Sequence, residues 1–425
     1  MKKTLFIMAA ALAVCYSCSN DEVIESAALN DSNAISFRPL MNKMTRAADA
    51  NLTTTGFRVT ATKTSDASKV YFSNVDFTSS TPATTFASAT KYYWPSSYNL
   101  DFFAYAPIAS DVVGDGKQII PWETTTPGYD ANSFKTFKVT PATAAASQVD
   151  FVYANTDAWG KIDQDPSNAG THTHYIDGTP EGVTINFRHT ESKVAVKLYN
   201  SNSSNITVLV RDVSICNINT VGVFTYDDSG NTDTQNTTTA ADGNIFAQSL
   251  WTPSTPGSYT QTVAATENED DFNVAVGSAA QFGEDWILIP QSLTYATAYD
   301  NTASTPYPFA GVCLKIRLQI KNAAGETEFI VGGTANTGGA DSDGYVTALW
   351  PLSSPAGGWV PGTKYTYTVD LAGGGYWEKN DTGDQALDPI LAGAEIKFVT
   401  VTIDTWDEAD GSIYTGATPS TPVAP

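Results

Sequence analysis

Short runs in which apolar and polar residues alternate recur along the chain, separated by clusters of Gly, Pro, Asn, Asp, Ser and Thr, and helical periodicity is almost absent. Val183, Ile185 and Phe187 alternate with Thr184, Asn186 and Arg188, and Val194, Val196 and Leu198 with Ala195, Lys197 and Tyr199. The same period appears in Leu314, Ile316, Leu318 and Ile320, and again in Tyr365, Tyr367, Val369 and Leu371. A strand with one apolar and one wet face belongs to an antiparallel sheet that packs on a single side, so the pattern predicts an all-β chain of sandwich type. Ile396 and Phe398 share one phase while Val399, Val401 and Ile403 take the other, which predicts a β-bulge near Phe398.

The widest interruption runs from Asn155 to Pro180, with strong strands on either side, and the domain boundary is expected there. The chain is long enough for two domains with cores of their own. The expected division is a leader over 1–18, a tether and short strand over 19–46, an N-terminal sandwich over 47–165, a C-terminal sandwich over 166–410 and a flexible tail over 411–425. Thr232 to Gly243 and Gly373 to Asp388 read as polar loops.

Lys2 and Lys3 precede an apolar run from Leu5 to Val14, the pattern of a cleaved signal peptide and too short for a spanning helix. Cys15 and Cys18 follow; Ser17 is the small residue that lipoprotein processing needs ahead of a modified cysteine, so Cys18 is the expected lipidation site and the lipid the expected membrane anchor. The formal net charge of −22, without clustered Lys or Arg, argues against a nucleic-acid partner. Cys216 and Cys313 would remain after processing; both fall in expected strands, where buried thiols are the simpler expectation and a disulfide the alternative, because sequence does not give their proximity.

Catalytic groupings are scarce. The chain has 3 His, no nucleophile elbow and no phosphate-binding glycine loop, and neither enzyme activity nor a cofactor is expected. His189 ends a strand and reads as a structural, hydrogen-bonded histidine, while His172 and His174 share one side of an extended loop with no third metal ligand nearby in sequence. Tyr92, Tyr93, Trp94, Phe102, Phe103 and Tyr105 present the alternative of a sugar-stacking platform, although core packing claims at least one face of their strand.

Several motifs together resemble the fimbrillin and Mfa-like families of Bacteroidetes surface pilus subunits. They are Lys91-Tyr92-Tyr93-Trp94-Pro95 with Leu100-Asp101-Phe102-Phe103-Ala104-Tyr105-Ala106-Pro107, then Asp150-Phe151-Val152-Tyr153-Ala154 and Phe187-Arg188-His189 followed by Lys193-Val194. Ile287-Leu288-Ile289-Pro290-Gln291 and Tyr365-Thr366-Tyr367 complete the set, in the family's order, over about Arg46 to Trp406. The resemblance implies two tandem transthyretin-like β-sandwich domains and a structural, accessory or tip subunit of an adhesive fimbria at the outer membrane and cell surface. Ser19-Asn20-Asp21-Glu22 resembles the surface-export tag of Bacteroidetes lipoproteins.

The same resemblance gives Met44-Thr45-Arg46-Ala47 a meaning, because family members are cut after an Arg by a trypsin-like protease. A cut between Arg46 and Ala47 would remove the lipid and the short strand that places Ile35 and Phe37 on one face, opening a groove for a strand from another subunit. Family members draw donor strands from the C-terminal region, where the candidates are Ile396, Phe398, Val399, Val401 and Ile403, or the weaker Ser412-Ile413-Tyr414; the former can equally complete the chain's own sheet. Implied partners are other fimbrial subunits, the maturation protease and a glycan or protein receptor. A monomeric glycan-binding surface lipoprotein is the rival reading.

Overall fold

The computed structural model describes residues 34–40, 55–79, 86–95, 97–159, 183–201, 207–227, 246–263, 271–294, 311–321, 345–352, 358–371, 376–377 and 400–405. Cys18, Arg46, Ala47, His172, His174, Ile396, Phe398, Val399, the expected bulge and the expected tail lie outside them. The regular structure of the described residues is almost wholly β-strand, with short 3-10 turns at Ala145–Ser147 and Gln248–Leu250, and no helix among them is long and apolar enough to cross a membrane.

One layer of the N-terminal half contains β2 (Phe57–Lys63), β3 (Asp66–Thr78), β4 (Ala87–Ser88), β5 (Leu100–Ala106), β9 (Val152–Trp159) and β11 (Arg188–His189). They form a six-stranded sheet in the order β11-β9-β5-β2-β3-β4. Facing it is a two-stranded layer of β1 (Phe37–Leu40) and β10 (Val183–Asn186). Period-two alternation explains the core between them. Phe57, Val59 and Ala61 of β2, Phe102 and Ala104 of β5, and Val152 and Ala154 of β9 turn to one side and meet Ile35, Phe37, Val183 and Ile185. β10 and β11 follow residues 160–182 in sequence yet pack in this core and on β9 respectively.

The C-terminal half repeats the scheme with longer strands. β12 (Ser192–Tyr199) and β20 (Thr363–Asp370) are central in a sheet that includes β16 (Ala280–Gln281), β17 (Trp286–Leu288) and β22 (Thr400–Thr405). Opposite lies a sheet built on β13 (Thr207–Thr225), β14 (Trp251–Thr262), β18 (Cys313–Lys321) and β19 (Val346–Pro351). Val194, Val196 and Leu198 interleave with Val213, Ile215, Leu314, Ile316, Leu318, Tyr365, Tyr367 and Val369, and Trp286, Trp350 and Trp359 are the largest side chains fully buried in this core. The alternating phases read from the sequence are those the core uses.

β13 joins the two halves. Its residues Thr207 to Cys216 pair with β18, and Gly222 to Thr225 pair with β8 (Thr136–Val139), which carries β6 (Ile119–Glu123) and β7 (Gly128–Tyr129) onward. Gly222 sits where a Cβ would come within 2.9 Å of the Trp251 ring, so only glycine lets β13 pass that indole. A third, aromatic core results, in which Phe103 and Tyr105 from the second face of β5 meet Phe137, Phe151, Tyr153, Phe224, Tyr226 and Trp251.

Two pairings depart from the antiparallel expectation: β1 with β10, and β12 with β20, are parallel. Alternation fixes which face a strand buries and is blind to strand direction, so the pattern could not have separated the two. Within the expected loop Gly373 to Asp388, Tyr376 and Trp377 form β21, paired with β19.

Candidate functional site

The segment Ala34 to Leu40 is seated as a strand inside the first sandwich. On one side Phe37 exchanges backbone hydrogen bonds with Phe86: its N–H donates to the Phe86 carbonyl at 2.9 Å, and its carbonyl accepts from the Phe86 N–H at 2.8 Å. Ile35 N–H donates to the Tyr92 carbonyl at 2.7 Å. The other side is β10, where Val183 N–H donates to the Ser36 carbonyl at 2.7 Å and the parallel register runs from Phe37 opposite Val183 to Leu40 opposite Asn186. The segment is thus hydrogen-bonded on both sides, and taking it away would leave the Phe86 and Val183 amides without these partners.

Its side chains reach as deep as any in this half. Phe37 is fully buried and meets Phe57, Phe77 and Phe102 edge-on, at ring-centroid separations of 5.9, 4.7 and 5.1 Å. Ile35 is buried beside it. Burying two such side chains is worth about 1.5–3 kcal/mol each, and edge-on aromatic pairs add about 0.5–1.5 kcal/mol beyond the area term.

At the opposite end of the described chain, β22 lies at the edge of its sheet and pairs antiparallel with β20, Val401 opposite Tyr367 and Ile403 opposite Tyr365. Ile403 is 42% exposed, an apolar side chain on a strand that has β20 as its one neighbour among the described residues.

Two of the sequence motifs meet in a buried polar junction. His189 Nδ1 lies 3.0 Å from Asp150 Oδ1 and 2.8 Å from Oδ2, both side chains being almost completely buried. Thr190 N–H donates to the Phe151 carbonyl at 3.0 Å, and the Trp251 indole N–H donates to the Thr190 carbonyl at 2.6 Å. Glu191 accepts from the Phe151 N–H at 2.9 Å through one carboxylate oxygen, while its own carbonyl accepts from Gly362 N–H at 2.7 Å. Complete burial holds the Glu191 carboxyl well above the ordinary carboxylate range; the Phe151 N–H opposes that shift and Asp150 adds to it. The structural role expected for His189 is the one its geometry gives it, although its Asp150 partner, 39 residues distant, was not legible.

The six aromatics expected as an alternative sugar platform do not share one exposed face. Phe102 is buried on one face of β5, and Phe103 and Tyr105 on the other. Trp94 is 7% exposed and packs edge-on against Phe102 at 5.9 Å. Tyr92 lies against Phe72 at 4.6 Å. Both faces of β5 are core, so Phe102, Phe103 and Tyr105 offer no surface on which a sugar would stack, while Tyr92 and Tyr93 are half-buried.

Fold and site together define a multi-sheet β-sandwich protein whose N-terminal strand is a built-in part of its first sandwich. The fimbrillin-like family model matches residues 45–406, and the chain belongs to that family. No curated protein matches it. Among solved structures it is similar to a fimbrial protein from Bacteroides vulgatus, at 15% identity and a TM-score of 0.51, covering 88% of this chain and 99% of that one. A fimbrilin from Porphyromonas gingivalis aligns at 12% identity and a TM-score of 0.35 over 88% of this chain and 97% of that one.

Proposed function

We propose that the protein is a subunit of an adhesive fimbria-like surface filament, delivered as a lipoprotein acylated at Cys18 and matured by a trypsin-like cut between Arg46 and Ala47. The observation that carries this reading is the seat of Ile35 and Phe37, on a strand that precedes Arg46 in sequence and lies between Phe86 and Val183. Cutting after Arg46 leaves that strand on the membrane side of the break, held to the domain by non-covalent contacts alone. Its departure exposes unpaired backbone and an aromatic groove, a site that takes an incoming strand by main-chain hydrogen bonding with alternate side chains in pockets. One groove and one donor per subunit give a head-to-tail, open-ended filament. The donor in this proposal comes from the C-terminal region that includes Val401 and Ile403, with the lipid left behind at the outer membrane.

Recombinant chain extending from residue 19, treated with a trypsin-like protease, should give a product beginning at Ala47 that assembles into SDS-resistant ladders. Arg46→Ala should give neither product nor ladder. Ala47-initiated chains that persist as monomers would overturn assembly by strand exchange.

A further inference from the structure

The register of β13 against β18 sets Cys216 directly opposite Cys313. Ile215 and Leu314, the adjacent pair, face the second-sandwich core, so both cysteines turn to the other face of the sheet, where both are nonetheless buried. Directly opposed residues in an antiparallel pair have Cα atoms about 4.5–5.5 Å apart, within the range of about 4.4–6.8 Å that a disulfide spans. The register is pinned on both sides. Ile215 pairs with Leu314 on one, and on the other Asn217, in a left-handed conformation at φ 61°, donates its side-chain N–H to the Gly311 carbonyl at 2.8 Å.

We propose that Cys216 and Cys313 are the site of a cross-strand disulfide in the exported protein. The inference rests on the export reading, since oxidising compartments are where such bonds form and persist. The chemistry is thiol–disulfide exchange with a protein or low-molecular-weight disulfide. One cysteine thiolate attacks that disulfide and expels a thiolate; the second then attacks the mixed disulfide, forming the Cys216–Cys313 bond and releasing the other sulfur. The two cysteines are oxidised by two electrons, losing two protons, and the exchanging disulfide is reduced to two thiols. Burial of both sulfurs places the exchange before the sheet is covered during folding. The bond closes the loop that carries β14, β16 and β17 and ties the long strand shared by both halves to its neighbour.

Both cysteines fall in one tryptic peptide, Asp212 to Lys315. Full chain refolded in a mixture of reduced and oxidised glutathione, then alkylated in denaturant, should give that peptide unalkylated and lighter by two hydrogens. Two alkylated cysteines, or glutathione adducts, would overturn the geometry. Reductant should lower the denaturation midpoint of the oxidised chain and leave Cys216→Ala/Cys313→Ala unmoved; equal midpoints with and without reductant would contradict a cross-link within the folded sheet. Protein from acid-quenched cells should also carry the bond. Surface proteolysis of intact cells separates the two ways this can fail: alkylated thiols in surface-located protein overturn the disulfide, and alkylated thiols in protein confined to the cell interior overturn the export reading and the disulfide with it.

Discussion

The rings of Phe37 and Phe77 meet edge-on at 4.7 Å, with an interplanar angle of 83°. Phe77 belongs to a sheet built from residues after Arg46, and Phe37 to a strand that precedes it. This contact therefore joins the part of the chain that maturation would discard to the part it would keep. Phe37→Ala should destabilise the uncut protein by about 3–5 kcal/mol, the usual cost of emptying a buried aromatic site, read as a lower denaturant midpoint. Loss of the strand's main anchor should also hasten release of the N-terminal fragment after cutting. An unchanged midpoint would mean that the strand contributes little to the first sandwich.

The buried pair of Asp150 and His189 links the stretch preceding β9 to β11. Asp150→Ala removes a hydrogen bond between two buried side chains, so it should cost about 1–3 kcal/mol. A double-variant cycle with His189→Ala should show strong non-additivity in denaturant unfolding. Additive losses would reduce the pair to two independent packing residues.

Glu191 gives stability a pH dependence of definite sign. Its folded-state affinity for a proton is raised by burial, whereas in the unfolded chain it titrates near 4.3 or so, about the ordinary glutamate value. Above that pH the unfolded state has released a proton that the folded state still holds. The contribution is thus complete below about pH 4 and falls as pH rises toward the folded-state pKa, by about 1.4 kcal/mol per pH unit. Glu191→Gln, which cannot ionise, should be more stable than the parent at pH 8, with the advantage fading at pH 4. A parent and variant that differ equally at both pH values would refute a protonated Glu191.

Trp94 separates the filament subunit from the glycan-binding rival. Its indole is packed on Phe102, so Trp94→Ala should cost about 3–5 kcal/mol of stability and leave any glycan binding by still-folded protein unaltered. Selective loss of glycan binding at full stability, measured on a glycan array, would reverse that assignment.

Much of this was legible in the sequence for one reason: strands with one wet face write their burial as a period of two. Val194, Val196 and Leu198, or Tyr365, Tyr367 and Val369, could be assigned to a core before their partners were known. Alternation also marked Ile35 and Phe37 as sharing a face. What it cannot encode is which strand lies alongside. Phe86 and Val183 as the neighbours of β1, the parallel approach of β12 to β20, and the division of β13 between two sets of partners all depend on contacts distant in sequence. For the same reason Cys216 and Cys313 could be placed in strands while their opposition could not. Aromatic residues misled in a different way. Phe103 and Tyr105 sit on what would be the outer face of an isolated sheet, and it is the third core, with Phe224 and Trp251, that buries them.

Amide hydrogen exchange at Phe86 and Val183, followed before and after the Arg46 cut, tests strand replacement most directly. In the uncut chain the bonds to Phe37 and Ser36 should protect both amides. Once the N-terminal fragment has been separated, unassembled chains should lose that protection, and filaments should regain it with residues 34–40 absent. The account would be contradicted by cut monomers that keep both amides protected without the fragment, or by filaments in which residues 34–40 remain seated.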